Sequence, residues 1–284
     1  MARGLDHIVH AVADLDAAAN LYRALGFTVG ARNRHPWGTH NHIVQLPGFF
    51  IELLTLAEPD KMSGDVFSRN FGEYNRDFIA RGDGLSMLVL ESIDAKADEA
   101  AFRAAGIAAS AATRFDRDGK KPDGTPVKVA FTLAFAKDTL APDISFFTCQ
   151  QHYPENFWNP AFQRHDNTVR EIAGVVLVAD QPAQHREFLL ALTGAAAARD
   201  EASGFNIDLP RGAIGVMTRS AFSDRFGQQA PVTERGPRLA ALRLRTGDPR
   251  DAGGQLEKAG IFVCPLKAGA ISATVAGVTL VFEP

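Results

Sequence analysis

The sequence is poor in the features that mark several specialised classes of protein. It has two cysteines, Cys149 and Cys264, far apart in a chain of 284 residues. This pattern supplies neither a disulfide framework nor a thiolate zinc site, so a reducing compartment is expected. No apolar run approaches the roughly 18 residues needed to span a bilayer. The N-terminus also lacks a basic region followed by an apolar one. We therefore expect a cytoplasmic protein that does not associate with membranes.

An excess of positive charge and the common nucleotide motifs are also lacking. The formal net charge is −3, with Lys and Arg spread along the chain, which argues against a nucleic-acid partner. No G-x-G-x-x-G follows a predicted strand, and neither a P-loop nor a G-x-S-x-G elbow is found. We therefore expect no nucleotide cofactor. Hydrophobic residues make up 46% of the chain and charged residues 22%, which indicates a packed globular core.

What the sequence does contain is one pattern of elements that occurs four times. The first copy predicts a strand at residues 5–13, a helix up to residue 25, a strand from residue 27, a loop at 32–39, and strands at 40–46 and 49–56. The pattern returns at residues 85, 172 and 238. Each helix is followed by a glycine at the position typical of a helix end, namely Gly26, Gly106, Gly194 and Gly260.

Four copies of this βαβββ unit predict an α+β fold. One unit has too few strands to be stable, so the units should pair into two tandem domains. Each domain would be a curved, cupped eight-stranded mixed sheet with helices outside. The predicted divisions are an N-terminal domain at residues 1–150, an ordered interdomain segment at 151–170 and a C-terminal domain at 171–284. In the later units we expect strands at 107–113 and 261–266, a polar loop at 116–126, and a solvated His185 on an exposed helix.

Two ionisable residues stand in apolar strands of the first unit. His7 lies near the start of the first strand and Glu52 lies inside the fourth. Buried strands rarely keep such residues unless they are paired or used. A two-residue turn at Pro47-Gly48 would pair Ile43 with Glu52. The two residues predict a divalent-metal pair for Zn, Ni, Mn or Fe, a histidine–carboxylate acid–base pair, or a hydrogen bond that only joins two strands.

Several neighbouring side chains are candidates for contact with a ligand. The face that carries Glu52 also carries Asn41, Gln45 and Phe50. The amides of Asn41 and Gln45 could bind a ligand or could instead pair with backbone or water. His35 and Trp37 lie with Arg34 in the loop before the third strand, where they could bind a planar or anionic compound or simply anchor the loop. Gln150 and His152 follow the last strand of the second unit and could reach the rim of the cup or begin the interdomain segment.

These motifs resemble one known superfamily. Leu-Asp-His at residues 5–7, Ile-Glu-Leu at 51–53 and Arg-His-Pro-Trp-Gly-Thr-His-Asn at 34–41 are similar to the glyoxalase-like members of the vicinal oxygen chelate superfamily. The resemblance implies a metal in the cup, with ligands from the first and fourth strands of paired units. His7 and Glu52 match two ligand positions, whereas residues 85–87 and 147–149 of the second unit do not complete the set. The histidines that an extradiol dioxygenase requires are also missing, which disfavours ring cleavage.

The resulting functional hypothesis is a glyoxalase-like enzyme. It would act on a small carbonyl, enol or phenol compound by isomerase or lyase chemistry, through a divalent metal or a His7–Glu52 acid–base pair. The alternative is a protein that binds or sequesters a small molecule without catalysis, as in the drug-binding branch. A third interpretation makes the last two units a scaffold that forms a homodimer or shapes the N-terminal cup.

Overall fold

The computed structural model describes residues 2–120 and 124–284 and has an α+β architecture. The N-terminal half contains β1 (Leu5–Ala11), α1 (Leu15–Ala24), β2 (Asn33–Arg34), β3 (Thr39–Leu46), β4 (Phe49–Leu56), α2 (Val66–Ile79), β5 (Gly84–Glu91), α3 (Ala95–Ala104), β6 (Thr113–Lys120), β7 (Pro126–Ala136) and β8 (Ser145–Gln151). A crossing segment, residues 152–168, follows with the one-turn helix α4 (Pro154–Phe157) and a 3-10 turn (Pro160–Gln163).

The C-terminal half repeats the same order of elements. It contains β9 (Val169–Val178), α5 (Arg186–Thr193), β10 (Arg199–Glu201), β11 (Gly204–Asp208), β12 (Ala213–Met217), α6 (Arg219–Phe226), β13 (Arg238–Thr246), α7 (Pro249–Lys258), β14 (Cys264–Pro265), β15 (Ile271–Val275) and β16 (Val278–Glu283). Short 3-10 turns occur at Pro59–Ser63, Pro182–His185 and Lys267–Gly269. Among the described residues, no helix combines the length and the apolar character needed to cross a membrane.

Each half forms an eight-stranded mixed sheet. The strand order is β2-β3-β4-β1-β5-β8-β7-β6 in the N-terminal half and β10-β11-β12-β9-β13-β16-β15-β14 in the C-terminal half. In both sheets, the first strands of the two units pair antiparallel, and each pairs in parallel with the last strand of its own unit. The sheets meet through the pairing of Leu239 with Leu85. The predicted fold of two tandem sheets is therefore confirmed, whereas the residue boundaries of the domains stay a prediction.

The helices of the four repeat units, α1, α3, α5 and α7, cover the outer faces of the sheets because each has an apolar stripe. α1 buries Leu15, Ala18, Ala19 and Tyr22, and Asp14 caps its first turn by accepting a hydrogen bond from the Ala17 N–H. The corresponding caps of α3 and α7 are Asp94 and Asp248. One buried hydrophobic cluster runs through both halves, so the outer core is shared between them. The inner faces have separate clusters.

Two helices that the repeat pattern does not contain lie against the inner faces. α2 contributes Phe67 and Phe71 to the apolar cluster of the N-terminal inner face. α6 buries Phe222 and Phe226 against the C-terminal inner face, which fills that side of the second sheet. In α2 the aromatic residues Phe67, Phe71, Tyr74 and Phe78 recur at helical spacing, but the repeat pattern contains no helix between its first two units.

Other predictions about local structure were wrong. The expected loop at 116–126 is strand β6 up to Lys120, and β7 begins at Pro126; residues 121–123 lie outside the described residues. In the described part of the chain, the strand expected from residue 27 is absent, and the two-residue β2 lies instead in the expected loop at 32–39. The strands expected over 107–113 and 261–266 are reduced to the start of β6 and to β14. His185 is buried rather than solvated, because its Nδ1 lies 2.7 Å from Asp138 Oδ2, a carboxylate from the other half of the chain.

Candidate active site in the N-terminal cup

The inner face of the N-terminal sheet, which we call the cup, brings His7 and Glu52 together. β1 and β4 are parallel, and their register places His7 opposite Phe50 and Val9 opposite Glu52. Because side chains alternate along a strand, His7 and Glu52 share one face and are neighbours on a diagonal. The pairing of Ile43 with Glu52 confirms the register predicted for the Pro47-Gly48 turn.

A bulge in β1 adds a second carboxylate. Leu5 pairs with Leu90 and His7 with Val89, so Asp6 is the extra residue in the ladder between β1 and β5. This irregularity lets the side chains of adjacent residues meet: His7 Nδ1 lies 2.6 Å from Asp6 Oδ2. Since an ionised carboxylate only accepts hydrogen bonds, His7 donates through Nδ1 and a neutral ring keeps its lone pair on Nε2.

The free nitrogen of His7 faces Glu52. His7 Nε2 lies 4.0 Å from Glu52 Oε2, and the imidazole is stacked on the Phe50 ring at a centroid distance of 4.2 Å. A separation of 4.0 Å is too long for a hydrogen bond, so both atoms can still bind a third group. Asp6, in turn, accepts a hydrogen bond from the Gln151 amide on β8 at 3.0 Å. The result is a buried array of carboxylate, imidazole and carboxyl group.

Burial determines the protonation of Glu52. Its Oε1 accepts a hydrogen bond from the Asn41 amide on β3. Desolvation raises the pKa of the Glu52 carboxyl, while His7, Asn41 and Arg117 act in the opposite direction. Glu52 therefore holds its proton to a higher pH than an ordinary glutamate. A carboxyl group of this kind is better suited to donate a proton than an exposed carboxyl group, whose pKa is not raised.

The array lies at the wall of a small cavity of about 60 Å³. Most of the other walls are aromatic or aliphatic side chains: Trp37, Ile43, Phe50, Phe67, Phe71, Phe115, Phe131, Leu133, Phe147 and Phe157. Trp37 is stacked with His35 at 4.9 Å between ring centroids. Burial, with Arg117 and His40 nearby, lowers the pKa of His35 to about 3, so this imidazole is neutral near neutral pH.

A larger chamber of about 510 Å³ adjoins this cavity. Ile43, Arg117 and Phe157 line both spaces and thus mark their junction. The crossing segment forms part of the outer wall through residues 155–160. A ligand could therefore place a reacting end beside His7 and Glu52 and extend the rest of its body into the outer chamber.

The remaining predicted ligand contacts are distributed unevenly. Asn41, His35, Trp37 and Phe50 line the inner cavity together with His7 and Glu52. Gln45 lines the outer chamber, where its amide donates to the Phe157 carbonyl and accepts from the Asn159 N–H.

Gln150 and His152 do not face the cup. Gln150 accepts a hydrogen bond from the Ala95 N–H at the start of α3, and His152 Nε2 lies 2.8 Å from Thr132 Oγ1. Cys149 lines the cavity and Gln151 contacts Asp6, so alternation along β8 directs Gln150 to the helix side.

Sequence reasoning missed Asp6, Arg117, Cys149 and Gln151. The adjacent Asp-His pair at residues 6–7 was a usable signal, but only a bulge allows both side chains to point the same way. Arg117 falls within residues 116–126, whose polar composition predicts a loop and therefore no position on an inner face. Reading them as a strand would have placed Phe115 and Arg117 on one face.

The equivalent positions of the second unit carry no strong metal donor. The helix caps Asp14 and Asp94 align the two units, which matches His7 with Met87 and Val9 with Val89. Val9 pairs with Glu52 and Val89 pairs with Phe147, so Phe147 stands where the second carboxylate would be. The Phe147 ring packs edge-on against the His7 imidazole, with 5.7 Å between the ring centroids. A weak thioether and a phenyl ring thus replace two donors.

The donor set does not complete a site for a divalent metal. Asp6, His7 and Cys149 have ligand-type atoms within 4.8 Å of one another. However, Asp6 already accepts from His7 and Gln151, and burial with Asp6 and Glu52 nearby raises the pKa of the Cys149 thiol. A thiolate ligand requires the opposite shift. Arg117 also places a positive charge near Glu52, which opposes the binding of a cation.

The fold is that of the vicinal oxygen chelate superfamily: paired βαβββ units, here with His7 and Glu52 on the inner face of the cup. The family model described as "Glyoxalase-like domain" matches residues 5–193, and the chain belongs to this family. No curated protein sequence matches significantly.

Solved structures similar to this chain share its fold at low sequence identity. A hypothetical protein from Staphylococcus aureus is 13% identical, with a TM-score of 0.69 and coverage of 99% of both chains. A mutant of 4-hydroxymandelate synthase from Streptomyces coelicolor is 11% identical, with a TM-score of 0.58 over 99% of this chain and 92% of the other. A Mn(II)-bound glyoxalase from Novosphingobium aromaticivorans is 12% identical, with a TM-score of 0.52 over 99% and 82%.

Proposed function

We propose that the N-terminal cup is an acid–base active site for a small oxygenated compound. The observation that carries this proposal is the buried array of three side chains. His7 Nδ1 lies 2.6 Å from Asp6 Oδ2, and His7 Nε2 lies 4.0 Å from Glu52 Oε2. The array has an oriented base and a carboxyl group of raised pKa within reach of one ligand. Such a combination is the usual requirement for moving a proton next to a carbonyl group.

The reaction class is enolisation followed by isomerisation. His7 Nε2 takes a proton from the carbon next to a carbonyl, and Asp6 stabilises the imidazolium that forms. The C–H electron pair becomes the carbon–carbon double bond of an enol, while protonated Glu52 transfers its proton to the carbonyl oxygen. In an α-hydroxycarbonyl compound, the hydroxyl on the deprotonated carbon then gives its proton to the Glu52 carboxylate and becomes the new carbonyl, while the imidazolium protonates the former carbonyl carbon. The isomer is released and both groups return to their starting states.

The test is deuterium incorporation into small 2-oxo and hydroxycarbonyl compounds, followed by NMR in D₂O. Glu52→Gln and His7→Gln should each slow exchange by about 100-fold or more, since a positioned acid or base contributes that much. The control is His185→Gln, which disrupts another buried histidine–aspartate contact far from the cup and should keep the wild-type exchange rate. Exchange at wild-type rates in both cup variants would refute the proposal.

A metal-dependent reaction, the other hypothesis for His7 and Glu52, is tested separately. Because two of the four matched positions are Met87 and Phe147, we expect exchange to survive treatment with a chelator and elemental analysis to find less than one metal per chain. A stoichiometric metal that disappears in His7→Gln, together with loss of exchange after chelation, would favour metal chemistry instead.

A second candidate is binding without catalysis. Phe147 and the other aromatic walls of the inner cavity favour it, because they suit a ligand held mainly by contact area. This function predicts that the protein binds small aromatic compounds but does not accelerate deuterium exchange in any of them. It also predicts that Glu52→Gln changes affinity without affecting any rate.

A further inference from the structure

Arg117 is a cation at the junction of the two chambers. It lies on β6 opposite Val129, and its side chain lines both the inner and the outer space. One terminal nitrogen donates to Asn33 Oδ1 at 3.1 Å. The Nε atom is buried and has no hydrogen-bond partner among residues 2–120 and 124–284. The guanidinium therefore has donors left over for a ligand.

This guanidinium is not neutralised by a carboxylate from the described residues. Within that part of the chain, the ion pairs within 4.0 Å do not include Arg117. Glu52 is the carboxyl group whose charge it influences, but burial keeps the pKa of that group raised. A buried charge without a partner is costly, so proteins rarely keep one unless a ligand completes the pair.

We infer that Arg117 binds a carboxylate of the ligand and thereby selects small monocarboxylates with an apolar or aromatic body. The inference rests on the proposed function, which supplies the position of the reacting carbon, while Arg117 supplies the position of the charge. One guanidinium matches a single carboxylate, which it can bind through two parallel N–H donors. The aromatic walls around the inner cavity match the apolar part of the ligand that enters it, and the outer chamber has room for the rest of the body.

The choice of a monocarboxylate follows from the other charges near the cavity. Asp6 lies behind His7, and His35 is neutral because burial and Arg117 lower its pKa to about 3. Arg117 is therefore the single strong cation among the described residues that line the inner cavity. A doubly charged phosphate group would keep an uncompensated charge in this apolar space, which favours a carboxylate.

The test compares matched acids and amides by isothermal titration calorimetry. The probes are phenylacetate with phenylacetamide, 3-phenylpropionate with its amide, and pyruvate with pyruvamide. The wild-type protein should bind at least one acid about 10-fold or more tightly than its amide, as expected for a charge-assisted hydrogen bond. Arg117→Gln should lose this preference and leave amide binding within about 3-fold of the wild-type affinity.

The matched control is Arg114→Gln on the same strand. Arg114 pairs with Asp116 at 2.9 Å on the exposed side, so its loss should leave the acid–amide preference unchanged. If Arg117→Gln does not fold, Arg117→Lys replaces it and should keep part of the preference, because the charge remains without the planar fork. Equal affinity of wild-type protein for every acid and amide, or an unchanged preference in the Arg117 variant, would overturn the inference.

The two proposals fail in different ways. An Arg117-dependent preference with no deuterium exchange would keep the carboxylate site and reject the catalytic function. Exchange that depends on Glu52 without any acid preference would keep the function and reject the role of Arg117.

Discussion

His35 shows how a single buried residue shapes the pH dependence of folding. Its Nδ1 lies 2.9 Å from Thr39 Oγ1, and burial beside Arg117 lowers its pKa from 6.5 to about 3. Between these two values the unfolded chain binds a proton that the folded protein does not. The contribution of His35 to stability is therefore complete above pH 6.5 and is lost as the pH falls towards 3.

We expect His35→Gln to reduce this loss of stability in acid. Relative to wild type, the free energy of unfolding of the variant should improve by about 2 kcal/mol when the pH is lowered from about 7.5 to about 5. Urea unfolding of both proteins at the two pH values measures the difference. A stability difference that is the same at both pH values would show that His35 titrates normally in the folded protein.

The residues of the site were predictable only where the chain is regular. His7 and Glu52 occupy well-formed strands, so the alternation of side chains is enough to place both on the inner face. Asp6 depends on a bulge, and bulges leave no reliable mark in one sequence. Arg117 depends on recognising a strand whose alternate residues are charged, and such a segment also resembles a polar loop.

At the scale of elements, helices that follow the repeat pattern were predictable and inserted ones were not. α1 and α3 begin at Asp caps and are followed by Gly26 and Gly106. The repeat pattern has no place for α2 and α6, which lie against the inner faces of the sheets: α6 has almost no apolar period, and the helical spacing of Phe67, Phe71 and Tyr74 in α2 falls between two units. These two helices also distinguish the halves, since α2 borders the N-terminal cavity and α6 fills the C-terminal inner face.

One side chain makes two of the hydrogen bonds that hold the crossing segment over the outer chamber. Gln45 on β3 donates to the Phe157 carbonyl at 2.8 Å and accepts from the Asn159 N–H at 3.0 Å. Gln45→Ala removes both bonds, which should raise deuterium uptake of residues 155–160 by about 30-fold, since each bond contributes about 1 kcal/mol. Hydrogen-exchange mass spectrometry measures this, with α2 as the internal reference. Unchanged uptake in residues 155–160 would show that other contacts hold the segment.

The two halves behave as one molecule because charged groups, as well as the shared core, connect them. Asp143 is buried in the N-terminal half and contacts Arg81 at 2.9 Å, Arg235 at 3.1 Å and Arg238 at 3.8 Å. Arg235 and Arg238 come from the C-terminal half, just before and at the start of β13. A buried carboxylate shared by three guanidinium groups ties the halves where the two sheets meet at Leu85 and Leu239.

We therefore expect Asp143→Asn to destabilise the whole molecule. Neutralising this carboxylate leaves three cations close together, so the free energy of unfolding should fall by about 2 kcal/mol, less than for a fully buried pair because the arginines are partly exposed. The matched control is Asp200→Asn, which removes an exposed carboxylate bound to Arg186 and should cost less than about 1 kcal/mol. Chemical unfolding followed by fluorescence and circular dichroism measures both variants. Equal stability of the two variants would show that the charges at this boundary do not hold the halves together.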